Sequence, residues 1–420
     1  MAAGLVCCIA LPPARAADAD CAAPPPTALS LPAADERVAR CNRDVVAARL
    51  AVAAAEADLR VALQHPNPSL TLEASNLNPH LGVGSGPLRD KTFDSSIHLD
   101  QLVERGGKAE LREAQAIANV QAARADVAEQ VRLQRLAMRN AFFDLAAAQE
   151  RMRLQLEFRD LSEQSANASG KRLEAGEVSR AEADRFRLDA ARAANDARQA
   201  QAERERARLD LAKLLGAESV ASQLQVVIAW PDAEPVPPKQ GERPDVVAAR
   251  RRTEAALAGR ALARSIATRD VTVGLQADHW PASETNPQGT GISYSVSMSI
   301  PLHVRHANEG EAQRAQADFD TAQAQLLRAE AAERAERELA EADWRSARER
   351  RNRMEREVRP LADDVAKAAE FAYSKGATSV LDLLDARRSL KSVELDEVQA
   401  LAESAKAWAR LVAAQDRYAE

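Results

Sequence analysis

Aromatic residues are scarce in this 420-residue sequence, where Phe, Trp and Tyr together make up only 3%. A compact globular core of this size normally uses more of them as bulky filler. No stretch approaches the roughly 20 apolar residues of a transmembrane helix, which excludes an inner-membrane helix bundle. The net charge of −6, with acidic and basic residues interleaved, predicts no nucleic-acid partner. Ala, Leu, Arg, Glu and Gln dominate instead, a composition typical of long helices and coiled coils.

Sequence motifs of catalysis are missing as well. The chain has no phosphate-binding loop, nucleophile elbow or dinucleotide fingerprint, so neither enzyme activity nor a cofactor is predicted. All six histidines lie in or beside predicted strands: His65, His80, His98, His279, His303 and His306. Only His303 and His306 have a ligand-like spacing and no cysteine accompanies them, so a polar surface is favoured over a metal site.

The first residues resemble an export signal. Residues 1–17 contain a short apolar run followed by an Ala-x-Ala pattern, which predicts a secretory signal peptide although a basic segment before the run is missing. Residues 18–33 then form an N-terminal tail. Cleavage would leave Cys21 and Cys41, which in an oxidising periplasm either form a disulfide or remain two free thiols. A lipid anchor is disfavoured because Cys21 follows Asp20, where a small residue is expected.

The chain contains a tandem duplication. The six residues 44–49, DVVAAR, recur unchanged at 245–250, about half the chain away. Gly176 and Gly376 recur at nearly the same offset. Several matches in the same order and register indicate an internal duplication of one structural unit.

Each repeat is predicted to run helix, strand, strand, very long helix, short turn, helix. Repeat 1 covers 34–216, repeat 2 covers 244–420, and a Pro-rich linker occupies 217–243. The strand pairs fall within 69–103 and 270–302, where period-two patterns appear.

The long helices are the largest predicted elements. From about 107 to 170 the sequence contains no proline, which allows a rod of roughly 95 Å at 1.5 Å per residue. In repeat 2 a helix is predicted over roughly 306–374, with a kink at Pro360 because proline lacks the N–H that continues a helix.

The predicted strands alternate strictly between apolar and polar residues. In the last strand Tyr294 and Val296 alternate with Ser293, Ser295 and Ser297. Period two places the two sets on opposite faces of a sheet. A half-buried soluble sheet has the same pattern, but strands of about 9–11 residues also have the length that spans a bilayer when tilted. Four strands cannot close a membrane barrel, which needs at least about eight, so several chains must contribute.

Two turns between helices carry a resemblance to a known family. One reads RLEAGEVSRAE over 172–182 and the other reads YSKGATSVLDLLDA over 373–386. Together with the duplication, they resemble the TolC-like outer-membrane factor family over about 34–418. The segment 101–108, QLVERGGK, is similar to the heavy-metal (CzcC-type) branch of that family. The resemblance implies a mainly α fold, in which a homotrimer forms a twelve-stranded β-barrel in the outer membrane and an α-barrel in the periplasm.

The same resemblance places the turns 171–179 and 375–379 at a periplasmic tip, where an adaptor protein docks. Both turns share the pattern Gly-x-x-Ser-x-x-acid. The glycines, Gly176 and Gly376, are predicted to take the left-handed conformation that ends a helix. The serines, Ser179 and Ser379, are predicted N-caps, and the acids Glu182 and Asp382 would complete capping boxes.

Acidic residues near the tips are candidates for a periplasmic gate. In a trimer, Glu182 and Asp382 would each form a ring of three negative charges that favours cations. Asp385 lies one turn beyond Asp382 without a capping role, which makes it the best candidate for a lumen-facing gate residue. Tyr373 matches a family tyrosine that helps hold the closed state. Thr378 replaces an arginine often found there, so a weaker closed state is a hypothesis.

These observations predict an outer-membrane channel that extends into the periplasm and exports heavy-metal cations such as cobalt, zinc or cadmium. Its expected partners are two further copies, outer-membrane lipid, a periplasmic adaptor of the membrane fusion type and an inner-membrane pump of the RND type. Multidrug efflux and type I secretion are alternative cargo classes. A periplasmic adaptor is the alternative from another class, although adaptors usually carry one helical hairpin rather than two.

Overall fold

The computed structural model describes residues 28–77, 93–232, 240–282, 291–302 and 304–418, and the single residues Cys21, Pro26, Lys91, Pro287 and Gly289. The predicted signal peptide and the histidines His80 and His303 lie outside these residues. The chain divides into two compact units. Unit 1 comprises 1–50, 125–245 and 330–420, and unit 2 comprises 51–124 and 246–329.

The described residues are mostly helical. The helices are α1 (Leu31–Cys41), α2 (Arg43–Ala62), α3 (Lys108–Glu174), α4 (Arg180–Leu214), α5 (Pro244–Ser265), α6 (Glu309–Arg353), α7 (Arg359–Ser374) and α8 (Val380–Ala414). The strands are β1 (Ala28–Leu29), β2 (Ser69–Ser75), β3 (Asp94–Val103), β4 (Gln225–Val226), β5 (Val271–Trp280) and β6 (Gly291–Ser299). Helix, strand, strand and long hairpin therefore follow one another twice, as predicted. No helix in the described part of the chain is apolar enough over its length to cross a membrane.

The sequence predicted one continuous helix before the first strand pair, but the structure has two helices there, α1 and α2. Asn42 takes an extended conformation, with ψ near 132°, between α1 and α2. Its side-chain oxygen accepts a hydrogen bond from the Asp44 amide at 2.9 Å, while its Nδ2 donates to the Leu214 carbonyl at 3.0 Å. Asn42 thus caps α2 and ties it to the end of α4, a role for which asparagine is well suited.

Next to Pro360, where the sequence predicted a kink, the α-helix is interrupted by a π-helical turn. Residues Met354–Val358 form this turn between α6 and α7, directly before the proline. Pro360 cannot donate to the carbonyl one turn back, so the regular hydrogen-bond ladder has to be interrupted there. Arg351 reaches across the turn to Glu355 at 2.9 Å.

Unit 2 contains one four-stranded antiparallel sheet. Its strand order is β2-β3-β5-β6, so the strand pairs of the two repeats join through β3 and β5. The register aligns Leu70, Leu99, Leu275 and Val296 across all four strands. Residues in such a row share one face, and every second row continues that face with mostly apolar side chains, as Leu72, Ile97, Ala277 and Tyr294 do.

The described part of the chain does not cover the apolar face of this sheet. Leu72 is 69% exposed, Val296 is 76% exposed and Tyr294 is 81% exposed. The opposite face carries Ser, Thr and carboxylate side chains. On that polar face Gly274 leaves room for Asp100 and Ser297, since a Cβ at this position would lie 2.4 Å from oxygens of both. The sheet is therefore amphipathic, with an apolar face that the rest of the described chain leaves open to solvent.

The junction from β3 to α3 is held by charged pairs. Asp270 accepts hydrogen bonds from the Lys108 ammonium at 2.8 Å and from the Arg105 amide at 2.9 Å. Arg112 donates to Glu104 at 2.7 Å. These contacts give the segment 101–108, singled out from the sequence, a structural role at the entry to the long helix.

The core of unit 1 lies where α3, α4 and α8 meet. Phe142 and Phe143 are almost fully buried, and their rings contact edge to face at 5.7 Å between centroids. Trp230 stacks on Phe143 at 6.3 Å. Strand β1 pairs in parallel with β4, which brings the buried Leu29 into this cluster. Phe142, Phe143 and Trp230 thus form one aromatic group within this core.

A disulfide joins Cys21 to Cys41 in unit 1, with 5.4 Å between their Cα atoms. It closes the chain across α1, whose residues Ala34 and Val38 are fully buried in the same core. Arg37 also contributes, because its guanidinium donates to the Cys21 carbonyl at 3.2 Å and to the Leu215 carbonyl at 3.1 Å.

Candidate gate at the helix tips

Both helical hairpins of unit 1 turn on a glycine in the left-handed region. Gly176 has φ of 76° and Gly376 has φ of 71°. No heavy atom lies within 4 Å of where a Cβ would sit at either glycine, so the requirement is conformational rather than steric. Beyond them, the amide of Glu177 donates to the Arg172 carbonyl at 2.8 Å, as expected of a Schellman turn. The predicted helix endings are confirmed.

Serine N-caps start the returning helices at both tips. Ser179 Oγ accepts from the Glu182 amide at 3.2 Å, and Ser379 Oγ accepts from the Asp382 amide at 3.3 Å. At the second tip the Asp382 carboxylate accepts in turn from the Ser379 amide at 3.1 Å, which completes a capping box. The two hydrogen bonds satisfy donors that the helix start would otherwise leave unpaired.

Thr378 belongs to this second cap. Its hydroxyl donates to Asp382 Oδ2 at 2.7 Å, and the Ser379 hydroxyl donates to the same oxygen at 2.7 Å. Hydrogen bonds from Ser379 and Thr378 lower the pKa of the Asp382 carboxyl. Asp382 is therefore ionised at neutral pH. The residue that replaces an arginine thus has a local function that the sequence pattern did not reveal.

Glu182 does not complete a capping box at the first tip, and that prediction is wrong. Its carboxylate accepts a hydrogen bond from the Tyr373 hydroxyl at 3.0 Å. Burial of the ring and this carboxylate neighbour both raise the pKa of Tyr373. A glutamate has one more methylene than an aspartate, so it can reach the other hairpin. Glu182 and Tyr373 therefore connect the two tips.

Arg172 is a member of this network that sequence reasoning missed. Its Nη1 lies 3.4 Å from the Tyr373 hydroxyl, and its Nε is 3.3 Å from the Glu177 carboxylate. A basic residue in the last turn of a helix is common because it complements the helix dipole, so nothing in the pattern marked Arg172. Arg172 of α3 therefore brings a guanidinium to the Tyr373 hydroxyl. The arginine that the family resemblance led us to expect is replaced by Thr378.

An apolar cluster lies next to the polar network. Phe186 of α4 packs with Val380, Leu383 and Leu384 of α8, all buried. The Tyr373 ring contacts Phe186 edge to face at 6.4 Å. The spacing 380, 383 and 384 puts three side chains on one helix face, directed at the first hairpin.

Asp385 is placed differently from Asp382. Its side chain is 73% exposed, and its carboxylate lies 3.7 Å from the Arg388 guanidinium one turn on. It takes no part in the cap, as the sequence suggested. Within the residues that can be described, no three His, Cys, Asp or Glu side chains converge on a possible metal site.

Comparison with known proteins decides the family. The model of the outer membrane efflux protein family matches residues 36–217 and 239–415, most of the chain. The chain belongs to this family. Among curated relatives, the efflux protein is 26% identical over 321 residues to the cobalt-zinc-cadmium resistance protein CzcC of Cupriavidus metallidurans. That alignment covers 74% of this chain and 75% of CzcC.

Solved structures show the same fold. The outer-membrane channel OprN superposes with a TM-score of 0.75 at 23% identity, covering 92% of this efflux protein and 89% of OprN. VceC from Vibrio cholerae superposes with a TM-score of 0.74 at 18% identity, covering 92% of this chain and 95% of VceC. The predicted TolC-like fold is confirmed. This efflux protein is a channel of the outer membrane, and its family is one of channels rather than enzymes.

Proposed function

We propose that three copies of this efflux protein form an outer-membrane duct for heavy-metal cations. A periplasmic adaptor docked at the tips around Gly176, Ser179, Gly376 and Ser379 would connect the duct to an inner-membrane RND-type pump. The observation that carries the proposal is the amphipathic sheet, whose exposed apolar face and polar face suit a wall between lipid and water.

The strand number supports assembly from several copies. Strands β2 and β6 are the outer strands of the sheet, and each pairs with one neighbour among the described strands. Unpaired apolar edges of this kind promote aggregation unless another chain covers them. Three four-stranded sheets make twelve strands, within the range of membrane barrels, and would leave no edge free.

Charge on the polar face supports a cation as cargo. Four carboxylates lie on this face: Glu73, Asp94, Asp100 and Asp278. The four strands contain no lysine or arginine. A lumen with charges of one sign raises the local concentration of counter-ions, here cations. The name of the relative CzcC, a cobalt-zinc-cadmium resistance protein, agrees with a metal cation as cargo.

Deleting the gene should lower resistance to metal ions. We expect growth of the deletion strain to be inhibited at severalfold lower concentrations of cobalt, zinc or cadmium, and the intact gene should restore resistance. Growth on a panel of drugs is the matched comparison. Sensitivity to drugs with unchanged metal resistance would contradict the metal cargo while leaving the channel itself intact.

The proposed gate can be tested at Asp385. Because the exposed carboxylates of three copies would form one ring, Asp385→Asn should lower the cation-to-anion permeability ratio by about twofold or more in planar bilayers. Asp396→Asn is the control, since Asp396 is also exposed on α8 but lies three turns farther from the tip. Equal ratios in wild type and Asp385→Asn would reject this residue as a gate. Asp382 and Glu182 are secondary candidates, because both are engaged in local hydrogen bonds.

A further inference from the structure

The polar face of the sheet has an opening above Gly274. In the register, Gly274 of β5 lies between Asp100 of β3 and Ser297 of β6. A Cβ at this position would lie 2.4 Å from Asp100 Oδ1 and 2.4 Å from Ser297 Oγ. The two oxygens therefore border the same space, one from each strand beside β5. Glycine keeps this space open, because any other side chain would enter it.

A histidine lies one row farther along the same face. His98 precedes Asp100 by two residues in β3, so both side chains stand on the polar face with their bases about 7 Å apart. His98 Nε2 is buried and has no hydrogen-bond partner among the described residues. A buried polar atom of this kind normally has a protein group, a water or an ion as its partner.

The neighbouring carboxylate on this face is already engaged. Asp278 accepts a hydrogen bond from Gln276 Nε2 at 2.6 Å, and Gln276 is the residue opposite His98 in the register. This hydrogen bond holds the Asp278 carboxylate within its own strand. Asp100, at the opening, is therefore the carboxylate better placed to share a ligand with His98.

The donors around the opening suit a divalent transition-metal ion. Imidazole nitrogen is a good ligand for Zn²⁺ and its neighbours in the first row, and Zn²⁺ also accepts carboxylate oxygen, whereas Mg²⁺ and Ca²⁺ prefer oxygen alone. Two residues at i and i+2 on one strand present their side chains to the same side. One imidazole, one carboxylate and one hydroxyl are fewer strong ligands than a resident metal site needs. They also fall short of three His, Cys, Asp or Glu side chains, a group that the described residues do not form.

We propose that His98, Asp100 and Ser297 form a low-affinity site for a divalent transition-metal ion at the Gly274 opening. This inference rests on the proposed function, because the ion held there is the cargo on its way along the polar face. Water would fill the remaining coordination positions, so the ion exchanges readily. The sequence favoured a polar surface for His98, whereas its unpartnered nitrogen beside the opening favours a metal ligand.

Cobalt binding to the purified protein tests this site. We expect the detergent-solubilised protein, made without a histidine tag, to bind one Co²⁺ per chain at the opening in equilibrium dialysis. His98→Ala should weaken this binding by at least about tenfold, since even the loss of a group that orients a metal ligand costs about that much. Gly274→Ala should weaken it as well, because the added Cβ displaces the oxygens of Asp100 and Ser297. Excess Zn²⁺ should compete with Co²⁺, whereas Mg²⁺ should not.

Two variants of the same chemistry outside the site are the controls. His279→Ala removes an imidazole from the other face of β5, where His279 lies opposite Ser95. Glu73→Gln removes a carboxylate from the polar face of β2, where Glu73 lies opposite Ser96. Both controls should bind Co²⁺ as wild type does. A heat-modifiable trimer on gels should show that each variant assembles, and His98→Ala keeps the test available if Gly274→Ala does not.

The outcomes separate the site from the proposed cargo. Wild-type cobalt binding by His98→Ala would overturn the site, even if the deletion strain is sensitive to metals. Equal weakening by Glu73→Gln and His98→Ala would also overturn it, because cations would then be held by the charge of the whole face. Cobalt binding that depends on His98, together with unchanged metal resistance of the deletion strain, would support the site and reject the cargo.

Discussion

Val296→Arg is expected to prevent the trimer from accumulating in the outer membrane. Val296 is 76% exposed in the middle row of the apolar face, aligned with Leu275 and Leu99. An arginine on the lipid side of a barrel costs about 2–4 kcal/mol near the bilayer midplane. Three copies would multiply that cost, so the heat-modifiable trimer should disappear from the outer-membrane fraction.

The neighbouring residue provides the control for this experiment. Ser295 precedes Val296 in β6 and lies on the polar face, opposite Gln276. Ser295→Arg introduces the same charge into the same strand, but on the side proposed to face water. It should assemble as well as wild type. If both arginine variants assemble equally, or if Ser295→Arg is the defective one, the assignment of the two faces is incorrect.

Removing the disulfide is expected to lower the free energy of unfolding by about 3 kcal/mol. The Cys21–Cys41 bond closes a loop with a sequence separation of 20 residues, and a cross-link of that length restricts the unfolded chain by about this amount. The bond also keeps α1, with its buried residues Ala34 and Val38, against the core of unit 1. The double variant Cys21→Ser, Cys41→Ser should therefore unfold at a lower urea concentration.

Urea unfolding of the detergent-solubilised protein, followed by circular dichroism, measures this effect. Wild type treated with a reductant should shift in the same direction as the double variant, whereas the double variant should not respond to the reductant. Identical midpoints for all four samples would mean that the disulfide contributes nothing to stability.

Structural features that depend on one short segment of the chain were predictable from the sequence. The alternation around Val296 predicted a sheet with two different faces, since period two leaves no other arrangement. The turns at Gly176 and Gly376 were predictable because a left-handed glycine and a serine cap act within a few residues. The interruption of the helix beside Pro360 was predictable because proline also acts on its immediate neighbours. The sequence did not specify that the interruption would be a π-helical turn.

Contacts between distant segments were not predictable. Glu182 has the spacing of a capping box, yet its side chain binds Tyr373 of the other hairpin, 191 residues away. Arg172 joins the same hydroxyl across 201 residues. In both cases a local pattern allows several partners of similar energy, and tertiary packing selects among them. The break at Asn42 has the same origin, because its cap is stabilised by the distant carbonyl of Leu214.

The strand order has a consequence for how copies of the chain combine. Among the described strands, the two outer edges of the sheet belong to β2 from repeat 1 and β6 from repeat 2, so they are different surfaces. A proposed ring built from them is a head-to-tail, heterologous assembly, which closes only when the last copy meets the first. A single subunit with a blocked edge would leave such a ring open. A variant with a blocked edge, expressed together with the intact protein, should therefore have a dominant negative effect, because each channel needs all of its subunits to close the ring.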